Sequence, residues 1–432
     1  MKTSTVATED WPLLLSYLPA DLETSAKACG ALQRKRAVAS AQVLLRLAFA
    51  YAYTGWSLQA TVTWARGAGI ARLSAVALWK RLRRAADWSA HLLAQALAEH
   101  AALRRDRLPP GSLRVRLIDA SSISGPGSQG TDYRVHLQFD LGTLTTAEVT
   151  LTDAREGESL KRCGLGPGEI AMGDRGYAQR QGIAAVDATG AAVLVRLGWQ
   201  SVPLQRRDGT AFDLLGTVGR LEPGEIGEWE VQTAPDKAGT PAVPGRLVAL
   251  RKSAKATEIA RRKLRATARR KGKTPDARSL EAAAFVFVFT TAAAERLPAP
   301  AVLEVYRFRW QIELAFKRLK GVLALDELAA KDPALCRTFL CIKLLGALLV
   351  ERLSHRWVDF SPWGYGTPAT VIADAGLPGR GGDDPAGGRR RADAGAVGGR
   401  RRRVGDRLSG HAPEAAQPGC RSRLVRSSAC VR

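Results

Sequence analysis

Residues 305–320 read Val-Tyr-Arg-Phe-Arg-Trp-Gln-Ile-Glu-Leu-Ala-Phe-Lys-Arg-Leu-Lys, and they are the most informative stretch of the chain. The run has no Gly or Pro, and its apolar residues recur at helical spacing, which predicts one helix with an ordinary buried face. A second stripe contains Tyr306, Arg309, Glu313 and Lys320, which fall within about 60° on a helical wheel. A plain salt bridge between Arg309 and Glu313 would also explain this stripe.

Two aspartates lie upstream, each at the end of a predicted strand. Residues 113–118 predict a strand that ends at Asp119, and residues 169–173 predict a buried strand that ends at Asp174. Further segments predict two more antiparallel strands, two helices and a fifth strand: 133–139, 147–151, 156–163, 178–188 and 191–197. This order is that of a ribonuclease H-like fold, in which the first and fourth strands are neighbours. Asp119 and Asp174 would then meet, although each alone could be an ordinary loop residue.

Three motifs together resemble one protein family. The spacing Tyr-x2-Arg-x3-Glu-x6-Lys resembles the signature of the DDE transposases of bacterial insertion sequences, in the subgroup with a YREK helix. Gly173-Asp174-Arg175-Gly176-Tyr177 resembles the family's second-aspartate motif, and Ile118-Asp119-Ala120-Ser121 resembles its first. The resemblance covers about residues 30–355.

The resemblance implies a site and a reaction. Asp119, Asp174 and Glu313 would be the catalytic residues and would hold two Mg²⁺ (or Mn²⁺) ions. Water would cut the DNA at the end of the element, and the new 3′-OH would attack target DNA, as in cut-and-paste transposition. A homodimer is implied because two ends must be brought together. Five residues near the carboxylates are expected to contact DNA: Tyr306, Arg309, Lys320, Arg175 and Tyr177.

The charge of the chain supports a nucleic-acid partner. The 432 residues contain 65 Lys and Arg against 41 Asp and Glu, a net charge of +24. Double-stranded DNA is the expected partner, and a membrane surface is the weaker alternative. We find neither a run of about 18 uninterrupted apolar residues nor a signal peptide, which predicts a cytoplasmic, nucleoid-associated protein. The six cysteines form no metal-binding pattern and are expected to be reduced.

The first 110 residues predict a helical DNA-binding region. Ser57 and Ser74 are candidate N-caps for helices 58–66 and 75–86, which a Gly-containing turn connects as in a helix-turn-helix. The second helix carries Lys80, Arg81, Arg83 and Arg84, which suit phosphate and base contacts in a major groove. A helical bundle with a basic surface is an equally good interpretation. Residues 104–111 predict a linker.

The catalytic core is predicted in two parts, 111–200 and 301–358, separated by an inserted, mainly β subdomain over 201–300. The insertion predicts strands at 211–215, 226–232, 246–250 and 285–290. It also contains eleven Lys and Arg within 251–273, which predict a basic helix. This helix would contact the DNA backbone, or it would only be a solvated surface helix.

Residues 359–432 differ from the rest in composition. From residue 361 onward they contain 13 Arg and no Lys, with many Ala, Gly and Pro and almost no periodicity, which predicts disorder. A disordered DNA-binding tail and a frameshifted reading of a GC-rich gene both explain this composition, and we favour the frameshift.

The sequence therefore predicts an α/β protein with a ribonuclease H-like core that transposes an insertion sequence. Two alternatives remain open: a repressor-like DNA-binding protein without catalysis, and a ribonuclease H-like nuclease without strand transfer. Cleavage that depends on Mg²⁺ would exclude the first, and joined products would exclude the second.

Overall fold

The computed structural model describes residues 6–105 and 113–355, with side chains over 11–101 and 113–353. The predicted linker lies largely, and the predicted tail wholly, outside these residues. The described strands are β1 (Arg114–Ile123), β2 (Tyr133–Asp140), β3 (Thr145–Asp153), β4 (Glu169–Gly173), β5 (Ala192–Leu197), β6 (Leu204–Gln205), β7 (Ile226–Thr233), β8 (Pro244–Arg251) and β9 (Phe285–Thr290). They form one mixed sheet in the order β3-β2-β1-β4-β5-β9-β8-β7-β6.

Helices cover both faces of this sheet. In chain order they are α1 (Val6–Ser16), α2 (Leu22–Ala28), α3 (Ala41–Tyr53), α4 (Leu58–Gly67), α5 (Ala75–Arg84), α6 (Ala86–Arg105), α7 (Arg180–Asp187), α8 (Leu214–Val218), α9 (Ala254–Arg270), α10 (Ala277–Ala282), α11 (Ala299–Arg307), α12 (Trp310–Gly321) and α13 (Pro333–His355). Two single-turn 3₁₀ helices, Leu160–Arg162 and Arg175–Tyr177, flank β4.

Alternation along the strands builds two separate cores. Leu117 and Leu194 face one core, which they share with α3, α6, α11, α12 and α13. Ile118 and Val195, one residue further along, face the other core, which they share with α7, α8 and α10. The side-chain period of two in a strand sends successive residues to opposite faces, so the protein has three layers, helix, sheet and helix.

The predicted neighbours β1 and β4 do lie side by side. They pair in parallel, with Arg114 opposite Glu169 and Leu117 opposite Met172. β1, β2 and β3 form the predicted antiparallel meander. The predicted end of β1 at Asp119 is wrong, because β2 continues to pair with it as far as Ile123, opposite Tyr133.

The inserted segment does not make a sheet of its own. Its strands β7 and β8 pair with each other, and β8 pairs with β9, which pairs with β5. The insertion therefore extends the same sheet beyond β5. The predicted strand at 211–215 is wrong: Asp213 caps α8 by accepting a hydrogen bond from the Gly216 N–H, and only Ala211 forms a β-bridge.

The N-terminal helices share their core with α13 and one face of the sheet. Tyr53 donates a hydrogen bond to the carbonyl oxygen of Lys343 (2.6 Å), and Thr338 donates one to that of Leu82 (2.7 Å). α13 is long and apolar enough to cross a membrane (mean hydropathy 1.8), but 72% of that window is buried inside the fold. In this fold α13 is therefore a core helix.

The predicted single helix over 305–320 is wrong in one respect, because α11 ends at Arg307 and α12 begins at Trp310. Between them the backbone N–H groups of Phe308, Arg309, Gln311 and Ile312 bond to carbonyls three residues back. This tighter hydrogen bonding turns the chain with neither Gly nor Pro, so no breaker residue marks it in the sequence.

Candidate active site

The pairing of β1 with β4 sets the two predicted aspartates opposite each other. Leu117 pairs with Met172, and each aspartate lies two residues further along its own chain segment. Asp119 and Asp174 therefore lie equally far beyond the last pair of this ladder, close enough for the charge of Asp174 to act on Asp119, and both are half-buried. Asp119 accepts a hydrogen bond from the Ala120 N–H (2.8 Å), and Asp174 accepts one from the Gly176 N–H (2.7 Å). These bonds leave each carboxylate with unused lone pairs.

The pKa of Asp119 reflects its burial and the charged groups around it. Burial raises its pKa to about 6. The negative charges of Asp174 and Glu158 act in the same direction, against the Ala120 N–H and Arg309. Carboxylates that repel one another in a partly buried site form an environment that a divalent cation would neutralise.

The glycines around Asp174 are required by close approaches. A Cβ on Gly173 would lie 2.7 Å from Cβ of Tyr177, so only Gly lets that ring pack against the strand end. A Cβ on Gly176 would lie 2.5 Å from Oε2 of Glu158. The sequence Gly-Asp-Arg-Gly-Tyr thus brings a third carboxylate, Glu158, to the two aspartates. Glu158 was not predicted as a site residue, because no motif marks it and the segment 156–163 was predicted as a short helix, whereas Glu158 lies in a loop.

The residues of the 305–320 stretch lie on two helices and the turn between them. Tyr306 is in the last turn of α11 and only 9% exposed, and its hydroxyl has no hydrogen-bond partner among the described residues. Arg309 lies in the turn, and its guanidinium forms an ion pair with Glu313 in the first turn of α12. Lys320 lies near the end of α12, with Nζ 3.4 Å from the carbonyl oxygen of Ser122 on β1.

The three predicted catalytic acids are therefore not all brought together. Asp119 faces Asp174, whereas Glu313 is paired with Arg309. Over the described ranges, no group of three or more His, Cys, Asp or Glu is arranged to hold a metal ion. Arg309 is close enough to both Glu313 and Asp174 for their charges to raise its pKa.

Cations lie beside the carboxylates. Partial burial lowers the pKa of Arg175, and the charge of Arg196 lowers it further. Burial lowers the pKa of Lys252 to about 8, with Arg196 and Arg175 acting in the same direction. These three side chains are neighbours of one another, and Tyr306 feels both arginines. Lys252 belongs to the basic segment 251–273 that was predicted to contact the DNA backbone, whereas Arg196 was not predicted, although a lone Arg in the apolar strand Ala192–Leu197 was a signal.

One predicted DNA contact does not fit the structure. Tyr177 is 1% exposed and belongs to the core on the α7 side of the sheet, so its ring is not available to a duplex. Its hydroxyl has no hydrogen-bond partner among the described residues. Burial is the main cause of its raised pKa, and the charges of Asp119 and Glu158 contribute. Tyr177 therefore packs beneath the carboxylates.

The predicted helix-turn-helix helices both form. Ser57 accepts a hydrogen bond from the Ala60 N–H (3.1 Å) and Ser74 accepts one from the Ala77 N–H (3.2 Å), as N-caps of α4 and α5. On α5, Lys80 and Arg84 are exposed. Arg81 is used within the fold, because it donates a hydrogen bond to the carbonyl oxygen of Arg34 (2.9 Å).

A basic cleft lies between α5 and the start of α13. Its volume is about 390 Å³, and its lining residues are Trp79, Lys80, Arg83, Arg84 and Ala334. Arg83 stacks 4.6 Å from the Trp79 ring and forms an ion pair with Asp332 (2.9 Å). The predicted basic helix over 251–273 is also present, as α9, and it has no buried residue.

Comparison with known proteins agrees with this geometry. The family model described as "Transposase DDE domain" matches residues 110–349. The InsL protein for insertion sequence element IS186A of Escherichia coli K12 is 38% identical over 365 residues, which are 83% of this chain and 98% of that protein. The transposase for insertion sequence element IS421 of Escherichia coli is 38% identical over 366 residues, with the same coverage.

Proposed function

We propose a mechanism for a chain that belongs to the DDE transposases of bacterial insertion sequences, enzymes that act on DNA. The single observation that carries the proposal is the parallel pairing of β1 with β4, which brings Asp119 and Asp174 to the same end of one ladder. In this mechanism the two aspartates and Glu313 form the catalytic centre of cut-and-paste transposition, with phosphodiester hydrolysis at the ends of the element followed by strand transfer.

The strand order supports a ribonuclease H-like core. β3-β2-β1-β4-β5, with β1 parallel to β4 and an antiparallel meander before it, is the order that fold requires. The insertion between β5 and α11 adds β6 to β9 at the far edge of the sheet, which leaves the end of β1 and β4 open to substrate.

We assign the carboxylates to a site for two divalent cations, Mg²⁺ or Mn²⁺, which is not assembled among the described residues of this structure. Asp119 and Asp174 present hard oxygen ligands, and the charge of Asp174 adds to burial in raising the pKa of Asp119. Asp119, Asp174 and Glu313 would hold the ions. When bound, such ions activate the attacking oxygen and stabilise the leaving oxygen in phosphodiester chemistry.

The cations beside the site would hold the DNA backbone. Arg309 precedes α12 and Lys320 lies near its end. Arg175 and Arg196 are close enough to Tyr306 to affect its pKa, and Lys252 feels the charges of both arginines. A guanidinium binds phosphate oxygens in a bidentate manner, and a phosphate would compete with Glu313 for Arg309 and with Asp326 for Lys320. The hydroxyl of Tyr306 is the nearby donor for a phosphate oxygen. Trp310, 44% exposed, would stack on a displaced base.

The helical region would bind double-stranded DNA at the ends of the element. α5 presents Lys80 and Arg84 to solvent, as a recognition helix in a major groove requires. The exposed basic face of α9 would contact the backbone, independently of sequence. Two ends must be cut and joined together, so a homodimer is the proposed working form. Its substrate places it in the bacterial cytoplasm, with the nucleoid.

A cleavage and joining assay tests this function. A labelled duplex that carries the element's own end is incubated with Mg²⁺, target DNA and wild-type protein, Asp119→Asn, Glu313→Gln or Glu304→Gln. Glu304 is an exposed carboxylate on α11 and serves as the matched control. We expect the first two variants to bind the duplex and to lose at least about 100-fold in cleavage, and Glu304→Gln to behave as wild type. Cleavage without joined products would indicate a nuclease, and unchanged cleavage by Asp119→Asn would overturn the proposal.

A further inference from the structure

Glu313 stands apart from the other acids of the site. In the described part of the chain, the carboxylates that raise the pKa of Asp119 are Asp174 and Glu158. The carboxylate of Glu313 is instead held by Arg309, and its side chain is 48% exposed. Over the described ranges no group of three acids is arranged to hold a metal ion.

We propose that Arg309 withholds Glu313 from the metal site until a DNA phosphate binds its guanidinium, so that DNA binding completes the three-carboxylate site. This inference rests on the proposed function. It makes Arg309 a positioning residue that acts through Glu313. The simple ion pair that the i,i+4 spacing predicts would then be one of two states of the site.

Arg309 is placed to change partners. It forms an ion pair with Glu313, and it is near enough to Asp174 to feel that charge as well. A half-exposed ion pair on one helix contributes little net stability, because solvent screens it and both side chains lose freedom. A phosphate offers the guanidinium a bidentate partner with more negative charge. The exchange of partners is therefore favourable once DNA lies along the site.

The proposal assigns the movement to the side chain of Glu313 and not to its helix. α12 packs against β1, the strand that carries Asp119, and Lys320 at its far end reaches the carbonyl oxygen of Ser122 (3.4 Å). The apolar side of α12, with Ile312 and Phe316, is buried and fixes the helix. In the proposal α12 therefore stays in place, and the Glu313 side chain changes its rotamer when Arg309 releases it.

The consequence is a reciprocal coupling between metal and DNA. If DNA makes the metal site complete, bound metal must strengthen DNA binding by the same factor. The free protein would then hold divalent cations weakly, with Asp119 and Asp174 alone. Hydrolysis away from DNA would be suppressed as a result.

The test is Mn²⁺ affinity, measured by electron paramagnetic resonance on the full-length protein with and without a short generic duplex. Mn²⁺ bound by the duplex alone is measured separately and subtracted. We expect DNA to tighten Mn²⁺ binding by about tenfold or more in the wild type, a factor within the range of site-to-site coupling. In Glu313→Gln the affinity of the free protein should be unchanged, and the gain with DNA should be absent.

Variants of two arginines distinguish the release of Glu313 by Arg309 from a general electrostatic effect on Mn²⁺ binding. Arg309→Gln should bind Mn²⁺ more tightly than wild type without DNA and show no further gain with it. Arg307→Gln removes a positive charge from an exposed position of α11, close in sequence to Arg309, but leaves the Arg309–Glu313 pair intact. It should therefore keep the gain with DNA.

The outcomes separate this inference from the proposed function. Weaker Mn²⁺ binding by the free Glu313→Gln protein would mean that the three carboxylates are already assembled. It would overturn the proposal that Arg309 withholds Glu313. An equal gain with DNA in wild type and Arg309→Gln would also overturn it. Both results leave the catalytic role of the carboxylates standing. If Asp119→Asn binds Mn²⁺ as wild type does, the proposed metal site itself is wrong.

Discussion

Asp119 and Asp174 each lie two residues beyond Leu117 and Met172, the last pair of the parallel ladder between β1 and β4. Two backbone ladders fix this relationship, because β1 is held by β2 on one side and by β4 on the other. The chemistry we propose depends on it, since two carboxylates must face one reacting phosphate.

The pKa of Asp119 predicts how cleavage depends on pH. Burial and the neighbouring carboxylates raise it to about 6, and only the ionised form can take part in holding a cation. We expect the rate at low, non-saturating Mg²⁺ to fall about tenfold for each pH unit below 6, and to level off above 7. Higher Mg²⁺ should shift the fall to lower pH. A rate that stays constant between pH 5 and 7 at low Mg²⁺ would contradict the assignment.

The raised pKa of Asp119 also predicts that its ionised carboxylate lowers the free energy of unfolding. The pKa of Asp119 is higher in the folded than in the unfolded protein, so wild-type stability falls as pH rises from about 4 to 6 and stays lower above that. Asp119→Asn removes the buried charge, and we expect it to raise the free energy of unfolding by roughly 1–3 kcal/mol at pH 7.5. The advantage should vanish near pH 4. Chemical denaturation at both pH values, without metal, is the measurement.

His136 predicts acid sensitivity of the fold. Burial lowers its pKa to about 4, with the charges of Arg162 and Arg134 in the same direction, and its Nε2 lies 2.9 Å from Oγ1 of Thr152. A lowered His pKa means that the unfolded chain binds the proton first, so stability falls as pH drops from 6.5 towards 4. His136→Asn should flatten this slope. His91→Asn, at an exposed position of α6, should leave it unchanged.

Gly173 predicts a packing requirement beside Asp174. Its Cβ position lies 2.7 Å from Cβ of Tyr177, whereas a Cβ on Gly164 would meet nothing within 4 Å. We expect Gly173→Ala to lower the free energy of unfolding by about 1–3 kcal/mol. The matched Gly164→Ala should change it by less than about 0.5 kcal/mol. Equal effects in thermal denaturation would show that the contact between Tyr177 and Gly173 is unimportant.

Three cations of α5, Lys80, Arg81 and Arg84, are expected to differ in their effect on DNA binding. Lys80→Ala and Arg84→Ala should each weaken binding to any duplex and reduce the slope of log affinity against log salt by about 0.9. Arg81→Ala should instead lower stability by about 1 kcal/mol, since its guanidinium bonds to the Arg34 carbonyl. Fluorescence anisotropy at several salt concentrations separates the two classes. A loss of salt slope for Arg81→Ala of the same size would contradict this division.

Much of the arrangement could be predicted from local pattern. Strict alternation marks β2, the run 285–290 marks β9, and Ser57 and Ser74 mark the starts of α4 and α5, because side-chain period and capping act over a few residues. The adjacency of β1 and β4 followed from the order of elements. It was therefore possible to place Asp119 beside Asp174 from the sequence.

The rest depends on contacts between distant segments. The turn at Phe308 and Arg309 has no Gly or Pro, so only its tertiary setting reveals it. Glu158 and Lys252 reach the site because Gly176 allows a close approach and because β8 pairs with β9, neither of which a linear pattern shows. Tyr177 was predicted to bind DNA from its place in a motif, but the side chain points into the core.

The most direct test of the central claim is the metal preference of Asp174→Cys in the cleavage assay. A thiolate binds Mn²⁺ better than the harder Mg²⁺. If Asp174 is a metal ligand, Asp174→Cys should be inactive with Mg²⁺ and should regain cleavage with Mn²⁺, whereas Asp174→Ala should stay inactive with both. Cleavage by Asp174→Ala in Mg²⁺ at the wild-type rate would contradict the account.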